Sequence, residues 1–324
     1  NATATGDVST AGDYVGGLVG NTRASITNAS ASGEVTTDGQ EVGGLVGYLE
    51  AHSDEEVRNV TATGNVSAGS SNVGGLIGYV DQSSDSDEVT MSDAHATGDV
   101  STTYDAGGNA QVGGLVGRFH ESRDLTNVSA TGDVTSATGN YVGGLIGRLQ
   151  MENGNQIVSN AFATGAVTST GDRVGGLMGD SNGIITDSYA HGAVSTTGQR
   201  VGGLVGSHQD GPIRNVTATG DVSTTGRKVG GLVGYTQTSV TNASASGEVT
   251  TDGQEVGGLV GELDAHSDEE VRTVTATGNV STGSYYVGGL IGDVDRNQNT
   301  DEVTMSDAHA TGDVNTTYDA GGNA

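Results

Sequence analysis

The chain has no cysteine, no tryptophan, one proline, two phenylalanines and one lysine. Without cysteine there is neither a disulfide scaffold nor a thiolate metal site. A single proline, Pro212, with no G-X-Y period excludes collagen. Basic residues number 12 against 40 acidic ones, and the net charge is -28. Such a chain repels a duplex, so no nucleic-acid partner is expected. No run approaches the ~18 apolar residues of a membrane span. Leu, Ile, Val and Phe number only 63 of 324 residues. Few apolar residues with high net charge is the composition of disorder. Composition leaves two alternatives: a disordered acidic polymer, or a fold with a thin core.

What is present is a repeat, and it decides between them. The hexapeptide V-G-G-L-(V/I/M)-G occurs ten times, starting at Val15, Val42, Val73, Val112, Val142, Val174, Val201, Val229, Val256 and Val287. Successive copies are 27 to 39 residues apart. A second motif, (N/D)-x-x-A-(T/S)-G-x-V, precedes each hexapeptide, with Ala and Val invariant over eleven copies. These motifs hold 41 of the 57 glycines in fixed columns. A flexible Gly/Ser linker would not keep them there; fixed Gly means a turn, a bulge or a close backbone approach. A longer period lies on top. Residues 1–110 align without gaps to residues 215–324, with 89 identities. The expected organisation is a seven-coil super-repeat over 1–214 and the start of a second copy over 215–324. The register points to a window cut from a longer tandem array.

The segment Val60 to Ser67 alternates small or apolar residues with Thr, Asn and Ser. That period of two is a strand with one buried face. A variable polar turn follows, then a V-G-G-L-V-G strand, then a segment that absorbs most of the length variation. No helix-length amphipathic pattern appears. The expected fold is all-β: a parallel β-solenoid with one coil per 27–39 residue repeat, about eleven coils, and two or three strands per coil. At ~4.8 Å per coil the rod is roughly 50 Å long. A β-propeller is the rival, but its blades need longer repeats. Within the hexapeptide, Leu and the next apolar residue are adjacent, and a flat strand cannot bury both. Either the glycines bend the chain or one apolar column faces outward; the bend is the preferred expectation.

The hexapeptide preceded by N-x-x-A-T-G-x-V closely resembles the GLUG motif repeats of secreted surface proteins, among them filamentous-haemagglutinin-like adhesins and large archaeal surface proteins. The resemblance covers essentially the whole chain. It implies a β-helical extracellular rod and no catalysis, which belongs to separate domains in multidomain members. Tyr or Phe often precedes A-T-G in that family; here only Phe162 and Tyr189 do so. The Asp-rich, nearly lysine-free composition resembles halophilic archaeal proteins.

Several columns could carry chemistry. The residue after A-(T/S)-G is acidic in seven of eleven copies, including Asp7, Glu34, Asp99, Asp133, Asp221, Glu248 and Asp313. Parity turns it outward. Stacked carboxylates at ~4.8 Å repel by ~1 kcal/mol in bulk water. Salt screens that, so either a solvated acidic face or bound cations is expected. Clustered oxygen ligands suit Ca2+ or another hard cation. The candidates are Asp54, Glu55, Glu56, Asp85, Asp87, Glu88, Asp268, Glu269 and Glu270; no cofactor is required. A leading Asn column, from Asn1 and Asn28 to Asn242, suggests a hydrogen-bonded ladder. Nine N-x-(S/T) sequons occur, and Asn65, Asn279 and Asn315 face outward as glycosylation candidates. The T-x-T pairs are compatible with ice binding or with plain strand composition. No H-x-H, H-E-x-x-H or G-x-S-x-G occurs, and tyrosines look scattered. The expectation is a non-enzymatic, extracellular structural rod at the cell surface, self-associating end to end or laterally. The alternative is an adhesin stalk that binds a cell-surface glycan or another cell through its loops.

Overall fold

The computed structural model describes residues 1–69, 71–82, 89–103, 109–120, 124–151, 156–296 and 302–316. The second coil shows the plan with four strands: Ile26–Ala31, Val35–Thr37, Val42–Gly43 and Val46–Ala51. Each pairs in parallel and in register with its equivalents in the adjoining coils. Val35 lies between Val8 and Val66, and Val42 between Val15 and Val73. Four sheets, called A to D in chain order, run through the molecule. A and B have eleven strands each, C and D ten. This is a parallel β-solenoid, and no described residue is helical.

The expected two or three strands per coil become four, because the hexapeptide is not one strand. Val42–Gly43 belongs to sheet C, the chain bends at Gly44 and Leu45, and Val46 opens sheet D. The bend answers the question posed by adjacent apolar residues. Leu45 and Val46 are both fully buried, and so are Leu76 with Ile77 and Leu145 with Ile146.

The bend also divides the interior. Leu, Ile, Val and Ala of the A and D side form one core, and a column of valines from sheets B and C forms another. Between them the coil narrows to a waist. At Gly44 an added Cβ would collide with the carbonyl of Gly75 and lie 3.1 Å from the Ala62 Cβ. The invariant Ala and the second Gly of the hexapeptide are therefore one contact, small because backbone meets backbone there.

Two further columns explain the remaining pattern. Strand Glu55–Ala62 buries Val57 and Val60 but exposes both Arg58 and Asn59, so the period of two breaks at the asparagine. Asn59 has φ 52°, and Asn28, Asp93, Asn127, Asn160, Asp187, Asn215, Asn242 and Asp307 are also left-handed. Asn and Asp tolerate that conformation best among non-glycine residues. The column is a stacked bulge that adds one outward residue per coil. The expected ladder is present: Asn59 Nδ2 donates to Asn28 Oδ1, and Asn242 Nδ2 to Asn215 Oδ1, both at 2.6 Å. Thr273 occupies the same column with φ 54°, where a β-branched side chain is strained. Thr273→Asn is expected to stabilise the chain by about 1 kcal/mol, read from urea denaturation. At the corner between B and C, a buried hydroxyl column does similar work. Thr224 Oγ1 donates to the Gly198 carbonyl at 2.9 Å and accepts the Gly226 amide at 3.0 Å; Thr37, Ser169, Thr196 and Thr251 repeat both bonds.

Candidate functional site

Sheets C and D fold toward one another and leave a crease along the rod. The third glycine of the hexapeptide makes it possible. At Gly47 an added Cβ would lie 2.5 Å from the carbonyl carbon of Tyr14 and the amide of Val15. Two outward columns border the crease: the residue before each hexapeptide and the residue after it.

Read as columns, these positions pair aromatic rings with cations. Tyr14, Tyr48 and Tyr79 pack ring against ring at 5.5 and 5.3 Å. The Arg118 guanidinium lies 4.9 Å over Tyr79. Arg148 and Arg173 sit 4.7 and 4.9 Å from the Tyr141 ring. Arg200 and Lys228 both sit 4.7 Å from the Tyr235 ring. Five of the twelve basic residues thus line one crease. Among their acidic partners, Asp180 is nearly enclosed, 3.4 Å from Arg148 Nε and 3.7 Å from Arg173 Nε. Burial pushes its carboxyl up, against the pull of Arg173 and Arg148. Lys228 Nζ meets Glu262 at 2.6 Å. Burial first, then the hydrogen bond it donates to Asp264 at 2.7 Å, raises the Tyr235 phenol above its usual range. The expectation of scattered tyrosines is corrected for three of them: Tyr14, Tyr48 and Tyr79 lie far apart along the chain but adjacent along the rod. Phe162 and Tyr189 likewise stack at 5.0 Å and 4° on sheet A, with His191 4.7 Å beyond.

The acidic column after A-(T/S)-G is exposed, as parity required. It also makes a bond that parity does not reveal. Asp7 Oδ1 accepts the amide of Glu34, Asp99 that of Asp133, Asp133 that of Ala166, and Asp221 that of Glu248, at 2.8–2.9 Å. Each carboxylate links its coil to the next by a charge-assisted hydrogen bond. Asn65 and Asn279 do the same for Asp99 and Asp313, both at 2.9 Å. Asp99→Asn with Asp133→Asn keeps the acceptors and removes two charges. In 0.1 M KCl this variant is expected to melt about 3 °C above the parent, and in 3 M KCl at the same temperature, because salt screens the repulsion it relieves.

The cation candidates are placed as follows. Asp54 is exposed. Glu55 is buried and accepts the amides of His52 and Ser53 and the Ser53 hydroxyl. Glu56 meets Arg58 at 2.7 Å. In the second copy, Asp268 accepts the Glu302 amide, Glu269 accepts the hydroxyls of Ser239 and Ser267, and Glu270 lies 3.6 Å from Arg272. Asp85, Asp87 and Glu88 lie outside the described residues. Among the described residues no three of His, Asp or Glu converge. The sequon residues Asn65, Asn279 and Asn315 are exposed, the last on the end strand of sheet B.

One histidine is enclosed. His208 is 0 % exposed; its Nδ1 accepts the Ser181 hydroxyl at 2.8 Å and its Nε2 donates to the Gly211 carbonyl at 2.8 Å. Burial lowers its pKa to about 4, against smaller opposing effects of Gly211 and Asp210. The contact is that of a nucleophile and its base, but Ser181 is only 3 % exposed, so neither group is open to a substrate. The pair closes the tight D-to-A turn of a short coil, as Thr236 Oγ1 does for the amide of Thr238 at 3.2 Å. No helix of the described residues is long and apolar enough to cross a membrane.

The family described as the GLUG motif matches residues 11–36, 38–67, 197–223 and 225–250. Halomucin of Haloquadratum walsbyi is 62 % identical over 243 residues, which is 73 % of this chain and 2 % of that protein. The chain thus spans a small fraction of the curated relative it matches. No solved structure matches it.

Proposed function

We propose that this chain, a stack of GLUG-motif coils, is a length of extracellular structural rod that serves as a filament, sheath or stalk at the surface of a salt-adapted cell. The observation that carries this reading is the unbroken run of four parallel sheets built from one repeated coil. Coils that stack equivalent residues in register and bury small side chains suit a spacer. The similarity to a protein named halomucin, from an organism named Haloquadratum, supports a salt-adapted surface coat. In this reading the 214-residue super-repeat is the unit of a longer array, self-association builds fibres, and the outward sequons carry glycans. Small-angle scattering in 3 M KCl tests it. A rod roughly 50 Å long is expected from the strand spacing; a compact sphere or an expanded coil overturns the reading.

A second reading, an adhesin that binds a glycan, is favoured by the aromatic columns Tyr14–Tyr48–Tyr79 and Phe162–Tyr189–His191. Binding to a glycan array that is lost in Phe162→Ala with Tyr189→Ala would support it over a pure spacer.

A further inference from the structure

We propose that the tyrosine and arginine crease is a lateral seat for a second copy of this chain, which lays its acidic column into it. The proposal rests on the rod reading and deepens it.

The first observation is an excess of cations where the rest of the chain is acidic. Arg118, Arg148, Arg173 and Arg200 follow one another over four successive coils, and the middle two, Arg148 and Arg173, share one carboxylate, Asp180. Arg118 and Arg148 are register partners, so their like charges stand one strand spacing apart. Tyrosine rings lie behind these guanidiniums and hold them flat. Arg148 and Arg173 have the single carboxylate of Asp180 between them, and Arg118 donates to the Gln150 side-chain carbonyl at 3.0 Å rather than to a carboxylate. Local pairing therefore leaves this patch short of anions.

The second observation identifies the occupant. On the A-to-B side of the coil, Glu34, Asp99 and Asp133 line an open trough of about 460 Å³ with Ser67, Ser101 and Thr135. One oxygen of Asp99 and of Asp133 accepts a backbone amide; the other remains for an outside donor. The acids of the trough and the arginines of the crease both advance one coil at a time. Two rods lying side by side bring guanidinium and carboxylate together at the same pitch, and a guanidinium fork suits a carboxylate.

The net charge sets the conditions. Two chains of -28 repel at low salt. Near 1 M salt the screening length is about 3 Å, so the long-range repulsion is removed while pairs in contact persist. Association should therefore appear as salt is raised, the reverse of an ordinary charge-driven complex.

Sedimentation velocity of the full chain in 0.1, 1 and 3 M KCl tests this. The parent is expected to be monomeric at 0.1 M and to associate at 1 and 3 M. Arg118→Glu with Arg200→Glu spares the two arginines that hold Asp180, and should weaken association at least tenfold. Asp99→Lys with Asp133→Lys should do the same. Mixing the two variants should restore association, because each retains the face that the other lacks. Circular dichroism of each variant in 3 M KCl should show the parent's β signal, and scattering the parent's rod. The milder pair Arg118→Gln with Arg200→Gln serves if the glutamates disturb folding. A parent that stays monomeric at every salt concentration overturns the proposal and leaves the rod standing. So does association untouched by either variant, or a crease that binds polygalacturonate without self-association.

Discussion

Gly132→Ala is expected to break the rod at its fifth coil, at a cost on the order of 4 kcal/mol or more. An added Cβ would fall on the carbonyl of Gly98 and 2.8 Å from the Asp99 amide. Both atoms belong to the coil beneath, and that backbone is held by sheets on either side. It cannot step aside without breaking register. Stability in a solenoid is a sum over coil interfaces, so the loss should concentrate at one interface. Amide exchange should rise in the two coils around residue 132 and stay low in distant ones. Gly69 lies in a turn outside that column, and a Cβ there would come no nearer than 3.2 Å to Asp38 of the coil beneath. Gly69→Ala should cost less than about 1 kcal/mol. Equal effects at the two sites would mean that the glycines serve backbone freedom rather than close stacking.

Acid should weaken the seventh coil through His208. Its pKa is lowered by burial to about 4, from the ordinary imidazole value of 6.5. The neutral imidazole is the form the fold accepts. Between those two values the unfolded chain takes up a proton that the folded chain refuses. The contribution is therefore complete above about pH 6.5, shrinks as pH falls, and is gone near pH 4. At 1.36 kcal/mol per unit the total is about 3 kcal/mol. Amide exchange of residues 201–213 at constant 3 M KCl should accelerate on going from pH 7.5 to 4, after correction for intrinsic rates. His208→Asn should be less stable at pH 7.5, having lost a hydrogen bond, but its stability should be nearly flat over that range. A parent profile as flat as the variant's would remove the histidine from the account.

These two cases differ in how far the residues alone reveal them. The glycines stood out because they recur in columns, and columns are visible in a repeat. Close approach was one of three meanings a fixed glycine could have. Nothing in A-T-G says that the next coil's carbonyl lies against it. His208 shares its inward column with Leu149 and Thr236, yet one histidine per coil looked unremarkable along the chain. The acidic column was placed outward correctly by parity. Its bond to the next coil's amide was missed, because a hydrogen bond between coils depends on rise and side-chain reach. The left-handed asparagines left a usable signal: Asn and Asp alternate in one column where β-branched residues are rare, and those two share tolerance of positive φ.

By itself the sequence determined that this acidic, glycine-rich chain folds at all, and that it folds as a stack. Invariant Ala, Val and Gly columns over eleven copies can all be satisfied together only if each coil repeats the one before, one strand spacing further on. That follows from local pattern, since every coil poses the same packing problem as its neighbours. The tertiary structure decided the rest of the cross-section. It divided the hexapeptide between two sheets, made four strands where two or three were expected, and separated two cores with a waist. It also brought Tyr14 to Tyr48 and Tyr141 between Arg148 and Arg173. Those meetings depend on where the chain bends within a coil. Bend angles come from backbone contacts between coils that no single repeat contains. Arg118, Arg148, Arg173, Arg200, Lys228 and the tyrosines they meet look dispersed when read along the chain and border one crease when read along the rod.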